Sequence, residues 1–153
     1  MFKTILLATD GSSLSNKAVD AAVNWAQHNG SKIIGLSVAE IYCYFPVTTM
    51  GGAENLRMLT DDLERKAEQN VQKIADLARK VDVVCEVYTP KGWCAQEIIK
   101  SAEQHHCDVI FMASHGRKGV NKLLLGSETQ KVLAYSTIPV IVYKSSPNST
   151  SAL

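Results

Sequence analysis

Five short apolar runs recur along the chain, separated by longer segments of mixed polar and apolar character. Several of the runs are apolar almost throughout, and this pattern is typical of strands that are covered on both faces. Such strands form a parallel sheet between layers of helices. The predicted strands are residues 4–9 (TILLAT), 32–38 (KIIGLSV), 83–88 (VVCEVY), 108–114 (DVIFMAS) and 139–144 (PVIVYK).

The segments between the strands have apolar positions at helical spacing. Gly30 supplies a stop signal for the first helix, and the second helix, from residue 53 to 81, is long. The order βαβαβαβαβ predicts a single α/β domain over residues 1–144, with an open, doubly wound sheet of five parallel strands and helices on both faces. Residues 145–153 are polar, and we predict a disordered tail there.

Composition restricts the class of protein without identifying it. The chain has 153 residues, of which 46% are hydrophobic and 20% charged, and its formal net charge is +1. No overall field would attract nucleic acid or an anionic membrane, so we predict neither as a partner, and any anion site must be local. No apolar stretch approaches the roughly 20 residues of a membrane span, and the N-terminus has the pattern of a buried strand rather than of a signal peptide.

The four cysteines are Cys43, Cys85, Cys94 and Cys107, and none forms a C-x-x-C pair. We predict reduced thiols in a cytoplasmic protein, with disulfides as the alternative. The run from His105 to Cys107 resembles a metal-binding stretch. Because neighbouring residues point in different directions and no second ligand cluster follows, we predict no metal site.

Ligands of open parallel sheets bind beyond the carboxyl ends of the strands, where the strand order reverses. If the first strand is central, this point lies between the strands that end near Thr9 and Ala113. The stretches TDGSS and ASHGRKGVNKLLLGS follow these two strands and would meet in space. The sequence therefore predicts a binding site where they meet.

The first of these turns, ATDGSSLS, lacks the G-x-G-x-x-G dinucleotide fingerprint, and the chain contains no phosphate-binding G-x-x-x-x-G-K-[ST] loop. Asp10 could accept a hydrogen bond from a ribose hydroxyl or a base amine. It could equally support the turn and the first helix, with Ser12 or Ser13 as the N-cap. The residues leave both roles open.

The stretch after the fourth strand has the composition of an anion site. Gly116 and Gly119 allow positive φ and close backbone approach. Gly126 and Ser127 open a helix whose first N–H groups have no internal partner, which makes a seat for phosphate. The Ser127 hydroxyl can cap this helix or bind a phosphate oxygen, and Glu128 supports the helix start.

Positive charge lies between the glycines, on Arg117, Lys118 and Lys122, and three leucines, residues 123–125, anchor the loop. A mobile linker or an ordinary strand-to-helix turn with solvated basic residues is the alternative. Composition and position favour phosphate binding.

With these motifs the chain resembles the universal stress protein family over essentially its whole length to about Lys144. The nucleotide-binding branch of that family carries G-x-x-G-x9-G-[ST] after its fourth strand. Gly116 matches the second glycine, and Gly126 with Ser127 matches the last pair. The first glycine falls on Ala113, where we expect ordinary β dihedrals and therefore tolerance of the extra methyl group.

The resemblance implies that Asp10 contacts the nucleoside and that Val38 contacts adenine. It implies that Gly116, Gly126 and Ser127 hold the ribose and phosphates through backbone N–H groups and the hydroxyl. It also implies a homodimer, in which the last strand, which begins at Pro139 and ends at Lys144, pairs across a two-fold axis.

We therefore predict a cytoplasmic stress-response protein that binds ATP or AMP and acts as a dimeric sensor or regulator, with Mg²⁺ accompanying ATP. His115 is the only histidine near the site and has no obvious orienting carboxylate, so we predict a loop contact and at most weak ATP hydrolysis. The predicted site residues are Asp10, Val38, Ala113, His115, Gly116, Arg117, Gly119, Gly126, Ser127 and Glu128.

Two other classes of function share this architecture. A dimeric interaction protein that binds no nucleotide would use the long second helix and the aromatic loop near residues 43–52. A flavin or electron-transfer protein is the third class, because the fold alone does not decide the function. The loops lack an aromatic pair to flank a flavin ring.

Overall fold

A computed structural model describes residues 2–40, 53–116 and 124–144 of the chain. Strands and helices alternate along these residues, as predicted. In chain order they are β1 (Thr4–Ala8), α1 (Ser13–Asn29), β2 (Lys32–Leu36), α2 (Ala53–Lys80), β3 (Cys85–Tyr88), α3 (Cys94–Gln104), β4 (Val109–Ala113), α4 (Ser127–Tyr135) and β5 (Val140–Tyr143). The predicted aromatic loop and the polar tail lie outside the described residues.

The five strands form one sheet in the order β3-β2-β1-β4-β5, and every neighbouring pair is parallel. At the centre, Leu6 of β1 lies opposite Ile34 of β2 on one side and Ile110 of β4 on the other. The strand order reverses between β1 and β4, which confirms the predicted doubly wound fold and the predicted position of the switch point.

Each face of the sheet is covered by helices and has its own core. Ile5 and Leu7 of β1 pack with α1 on one face, and Leu6 and Ala8 pack with α3 on the other. All five residues of β4 are buried, whereas the edge strand β5 is half-buried. Burial on both faces explains why the central strands are apolar without alternation.

The ends of α1 follow the predicted signals. Ser12 is the N-cap, and its side chain accepts a hydrogen bond of 3.3 Å from the amide of Ser15. Gly30 ends the helix in the left-handed conformation, with φ of 63°. Of the two candidate caps, Ser12 is therefore the one used.

The described cysteines, Cys85, Cys94 and Cys107, form no disulfide, and Cys43 lies outside the described residues. Burial raises the pKa of the Cys85 and Cys107 thiols to about 11. Both are therefore protonated and unreactive near neutral pH. In the described part of the chain, no helix is both long and apolar enough to cross a bilayer.

Candidate functional site

A cavity of about 520 Å³ lies at the carboxyl edge of the sheet. The ends of β1, β2 and β4 and the first turns of α3 and α4 contribute to its walls. Eight of the ten predicted site residues line it: Asp10, Val38, Ala113, His115, Gly116, Gly126, Ser127 and Glu128. The other two, Arg117 and Gly119, lie outside the described residues.

Asp10 and Gly116 bring the two predicted loops together. Oδ1 of Asp10 accepts a hydrogen bond of 3.0 Å from the amide of Ser12, so the carboxylate does support its turn. Oδ2 lies against Gly116, where an added Cβ would collide with it and would lie 3.3 Å from the Asp10 Cγ. The same side chain thus supports its turn and contacts the second loop.

The glycine at position 116 is explained by this close approach and not by its backbone angles. Among the described glycines, positive φ occurs at Gly11, Gly30 and Gly92. Gly116 therefore does not use the positive φ that glycine allows, whereas it does permit a close approach. A side chain at position 116 would displace the Asp10 carboxylate.

The first turn of α4 offers backbone donors to the cavity. Gly126 is the N-cap residue and has no side chain that could cap the helix. No described residue accepts a hydrogen bond from the amides of Ser127, Glu128 or Thr129, which come too early in the helix to have an internal acceptor. The start of α4 therefore has the open donors and the positive dipole end that the predicted phosphate seat requires.

Gly126 itself has a different role from the predicted one. Its N–H donates a hydrogen bond of 2.8 Å to the carbonyl oxygen of Ser114, so this amide is occupied and the prediction that it holds phosphate is wrong. An added Cβ would lie 3.1 Å from the Cα of His115. The glycine therefore allows the start of α4 to pack against the end of the β4 loop.

Ala113, the departure from the family motif, is an ordinary strand residue. It is the last residue of β4, and among the described non-glycine residues only Asp82 and His106 have positive φ. Its carbonyl oxygen accepts a hydrogen bond of 3.1 Å from the hydroxyl of Thr129. The expected β dihedrals are confirmed, so alanine causes no backbone strain here.

His115 has a contact that the sequence did not predict. Its Nδ1 lies 3.1 Å from the Oγ of Ser114. Ser114 is buried and does not line the cavity. The contact orients the imidazole. Because Ser114 does not line the cavity, its hydroxyl does not act as a nucleophile there.

Glu128 connects two helices. Its Oε2 accepts a hydrogen bond of 3.0 Å from the amide of Ala95 at the start of α3. Its Oε1 accepts one of 2.7 Å from Lys131 Nζ. The carboxylate lies in the first turn of α4, as expected, but the amide that it caps belongs to α3.

Several cavity residues were not predicted. The side chain of Asn70 donates a hydrogen bond of 3.2 Å to the Oγ of Ser37, and the hydroxyls of Thr9 and Ser15 lie 2.6 Å apart. Lys66 also lines the cavity, from α2. Of these residues, Asn70 could have been recognised from the sequence, because it is a polar residue on the apolar stripe of its helix.

A group of possible metal ligands also lines the cavity. Ligand atoms of Glu40, Cys94 and Glu128 all lie within 4.8 Å of one another. The sequence predicted no metal site, and these three residues are far apart along the chain. Glu128 in this group already accepts hydrogen bonds from Ala95 and Lys131.

Comparison with known proteins identifies the family to which the chain is similar. The family model described as the universal stress protein family matches residues 1–144. Universal stress protein YxiE of Bacillus subtilis is 28% identical over 148 residues, which cover 94% of this chain and 100% of that protein.

Solved structures have the same fold. The structure of protein MJ0577 of Methanocaldococcus jannaschii aligns with a TM-score of 0.80 and 27% identity, over 95% of this chain and 98% of that chain. A universal stress protein family protein of Arabidopsis thaliana with AMP bound aligns with a TM-score of 0.69, over 98% of this chain and 96% of that chain. At 15% identity, the second similarity is one of fold alone.

Proposed function

The chain belongs to the universal stress protein family, and on that premise we propose that it binds an adenine nucleotide, ATP or AMP, in the cavity at the carboxyl edge of the sheet. The observation that carries the proposal is the meeting of Asp10 with Gly116 beside the open amides at the start of α4. The AMP bound by the Arabidopsis protein of the same fold supports this choice of ligand.

The phosphate would lie at the N-terminus of α4. The amides of Ser127 and Glu128 point out of the first helical turn, and the exposed Ser127 hydroxyl adds a further donor. A helix N-terminus attracts negative charge through its dipole and its unpaired N–H groups. Because the chain as a whole is nearly neutral, with a formal charge of +1, this local field would be the main attraction for the anion.

The nucleoside would lie between the ends of β1 and β2. Asp10 Oδ2 is an acceptor that a ribose hydroxyl could use, and Val38 is a half-buried apolar wall for the base. A volume of about 520 Å³ is in the range of small-molecule sites, about 300–1,000 Å³. A triphosphate would bring Mg²⁺, which the Asp10 carboxylate could help to hold.

We further propose that the protein acts in the cytoplasm as a homodimeric sensor or regulator. The strand β5 is at one edge of the sheet, and no described strand pairs with its outer side, where a second copy could pair. The neighbouring α4 side chains Leu133 and Tyr135 are 43% and 76% exposed, which provides apolar surface beside that edge. An open strand edge next to exposed apolar side chains favours self-association.

The proposal is tested by asking whether the purified protein carries or takes up a nucleotide. After gentle purification, we expect mass spectrometry of the denatured protein to detect released adenine nucleotide. We expect stripped protein to give saturable calorimetric heat with AMP or ATP, titrated with and without Mg²⁺. Neither release nor heat would contradict the proposal and favour the interaction protein that binds no nucleotide.

A further inference from the structure

Trp93 lines the cavity and, among the described residues, belongs to neither of the two hydrophobic core clusters. Its side chain is 51% exposed. It occupies the N-cap position of α3, where it makes no side-chain hydrogen bond to the helix. An indole offers only a donor, so tryptophan cannot perform the capping that serine, threonine or aspartate performs at this position.

Capping of α3 comes instead from another helix. The Ala95 amide, in the first turn of α3, donates to Oε2 of Glu128 at 3.0 Å. This contact satisfies a donor that an N-cap side chain would otherwise satisfy. Because Glu128 caps the helix, the residue at position 93 does not need a capping side chain. Its large aromatic side chain lies beside the cavity instead.

The backbone holds Trp93 beside the end of β2. Ala39 donates a hydrogen bond of 2.9 Å to the carbonyl oxygen of Pro90 and accepts one of 3.2 Å from the amide of Gly92. Gly92 has φ of 151°, a conformation that L-residues rarely adopt, and it directly precedes Trp93. These contacts hold the backbone that precedes Trp93 beside the end of β2, and Trp93 and Val38 both line the cavity.

We infer that Trp93 is a ligand-contacting residue whose indole stacks on the purine base of the nucleotide. This inference rests on the proposed function, because it needs a base in the cavity. An indole face stacks on any base, since every base has a π-face. Trp93 therefore supplies affinity for the base but does not choose between adenine and guanine.

The intrinsic fluorescence of Trp93 gives a direct test. The chain has two tryptophans, and the other, Trp25, lies on α1 and does not line the cavity. In a Trp25→Phe variant, Trp93 is the sole tryptophan. We expect AMP to quench its emission saturably, with the midpoint found by calorimetry, and ribose 5-phosphate at the same concentration to leave the emission unchanged.

Substitutions at position 93 separate stacking from a structural role. We expect Trp93→Leu, which keeps apolar bulk without an aromatic face, to weaken AMP binding by about five- to a hundredfold, the range for the loss of one base–aromatic stack. Trp93→Phe restores an aromatic face and should bind AMP more tightly than the leucine variant. Circular dichroism of the two variants checks that the helical content is equal.

Three results would overturn the inference and leave the proposed function intact. The first is unchanged Trp93 emission at a saturating AMP concentration verified by calorimetry. The second is equal AMP affinity in the original protein and the leucine variant, and the third is equal weakening of AMP binding by leucine and phenylalanine. No calorimetric heat from either AMP or ATP with the unmodified protein would overturn both the inference and the proposed function.

Discussion

The Asp10 carboxylate at the end of β1 lies in direct contact with Gly116, in the loop that follows β4. There is no room for a Cβ between them, so the two loops at the switch point meet through the Asp10 carboxylate and the backbone of Gly116. This contact fixes the wall of the cavity that lies beside the start of α4.

Replacement of Gly116 by alanine tests this contact. The new Cβ would displace the Asp10 carboxylate, and we expect AMP affinity to fall by about tenfold or more, since a hydrogen bond to a charged group contributes about 1.5–3 kcal/mol. The stability of the fold should change little because Gly116 lies in a loop. Calorimetry and urea denaturation measure the two effects.

The matched control is Gly30→Ala at the end of α1. Nothing lies within 4 Å of a Cβ at Gly30, but its φ of 63° is unfavourable for alanine. This variant should lose about 1–2 kcal/mol of unfolding free energy and keep its AMP affinity. If both variants lost the same stability and the same affinity, the role assigned to Gly116 would be wrong.

The Ser127 hydroxyl tests the position of the phosphate. We expect Ser127→Ala to weaken AMP binding by about tenfold, since it removes a donor to a charged oxygen. Adenosine, which has no phosphate, should bind both forms equally in a competition assay. An equal loss for adenosine and AMP would show that the phosphate lies elsewhere.

Ala113→Gly tests whether the departure from the family motif matters. Because Ala113 has ordinary strand geometry, glycine relieves no strain, and we expect AMP affinity to be maintained or raised. Thermal denaturation should show a loss of about 0.5–1 kcal/mol, the cost of glycine within a strand. A marked loss of affinity would contradict the description of this strand end.

Alkylation of Cys94 reports on occupancy of the cavity. Cys94 lines the cavity, whereas burial raises the pKa of Cys85 and Cys107 to about 11, so those thiols react slowly near pH 8. We expect saturating AMP to slow the reaction of Cys94 with iodoacetamide several-fold, as followed by peptide mass mapping. Cys85 and Cys107 are internal references. A Cys94 rate that AMP does not change would place the ligand outside this cavity.

The edge of β5 offers a test of the dimer. The carbonyl oxygen of Pro139 accepts a hydrogen bond from the amide of Ile110, and that of Tyr143 accepts one from the amide of Ser114. By alternation, the backbone groups of Val142 therefore face the outer edge of the sheet. Val142→Pro removes an outward N–H, and proline is tolerated on an edge strand. We expect light scattering to show a dimer for the original protein and for Val142→Thr, and a folded monomer for Val142→Pro. A monomeric original protein, or a dimeric proline variant, would contradict pairing through β5.

The fold could be predicted closely because strands that are buried on both faces are recognisable from the sequence. The central strands are continuous apolar runs, and their predicted ends differ from the observed ends by only one or two residues, as at Thr9 and Ser114. The position of the switch point could be predicted on the condition that β1 is central in the sheet. The glycine and serine motif after β4 was visible because its members are close together in sequence.

Contacts between distant elements could not be predicted. The hydrogen bond from Ala95 to Glu128 and the pairing of Asn70 with Ser37 depend on which helices become neighbours in the folded protein. The role of Trp93 could not be predicted either, because a single aromatic residue in a loop is consistent with many roles. Such contacts become apparent only once the sheet order is known.

The structure gives Gly126 a packing role that the sequence motif did not predict. The motif predicted that glycine admits the phosphate, but its N–H is bound to Ser114 and a Cβ would press on His115. A valine at position 126 would therefore disturb protein packing as well as ligand approach. For this reason, Gly116 and Ser127 are better positions for a binding test.

The most direct test of the central claim is a crystal structure of the protein soaked with AMP. The account predicts the phosphate within hydrogen-bonding distance of the Ser127 and Glu128 amides, with the ribose beside Asp10. An empty cavity at saturating AMP, or AMP bound away from the start of α4, would contradict the account.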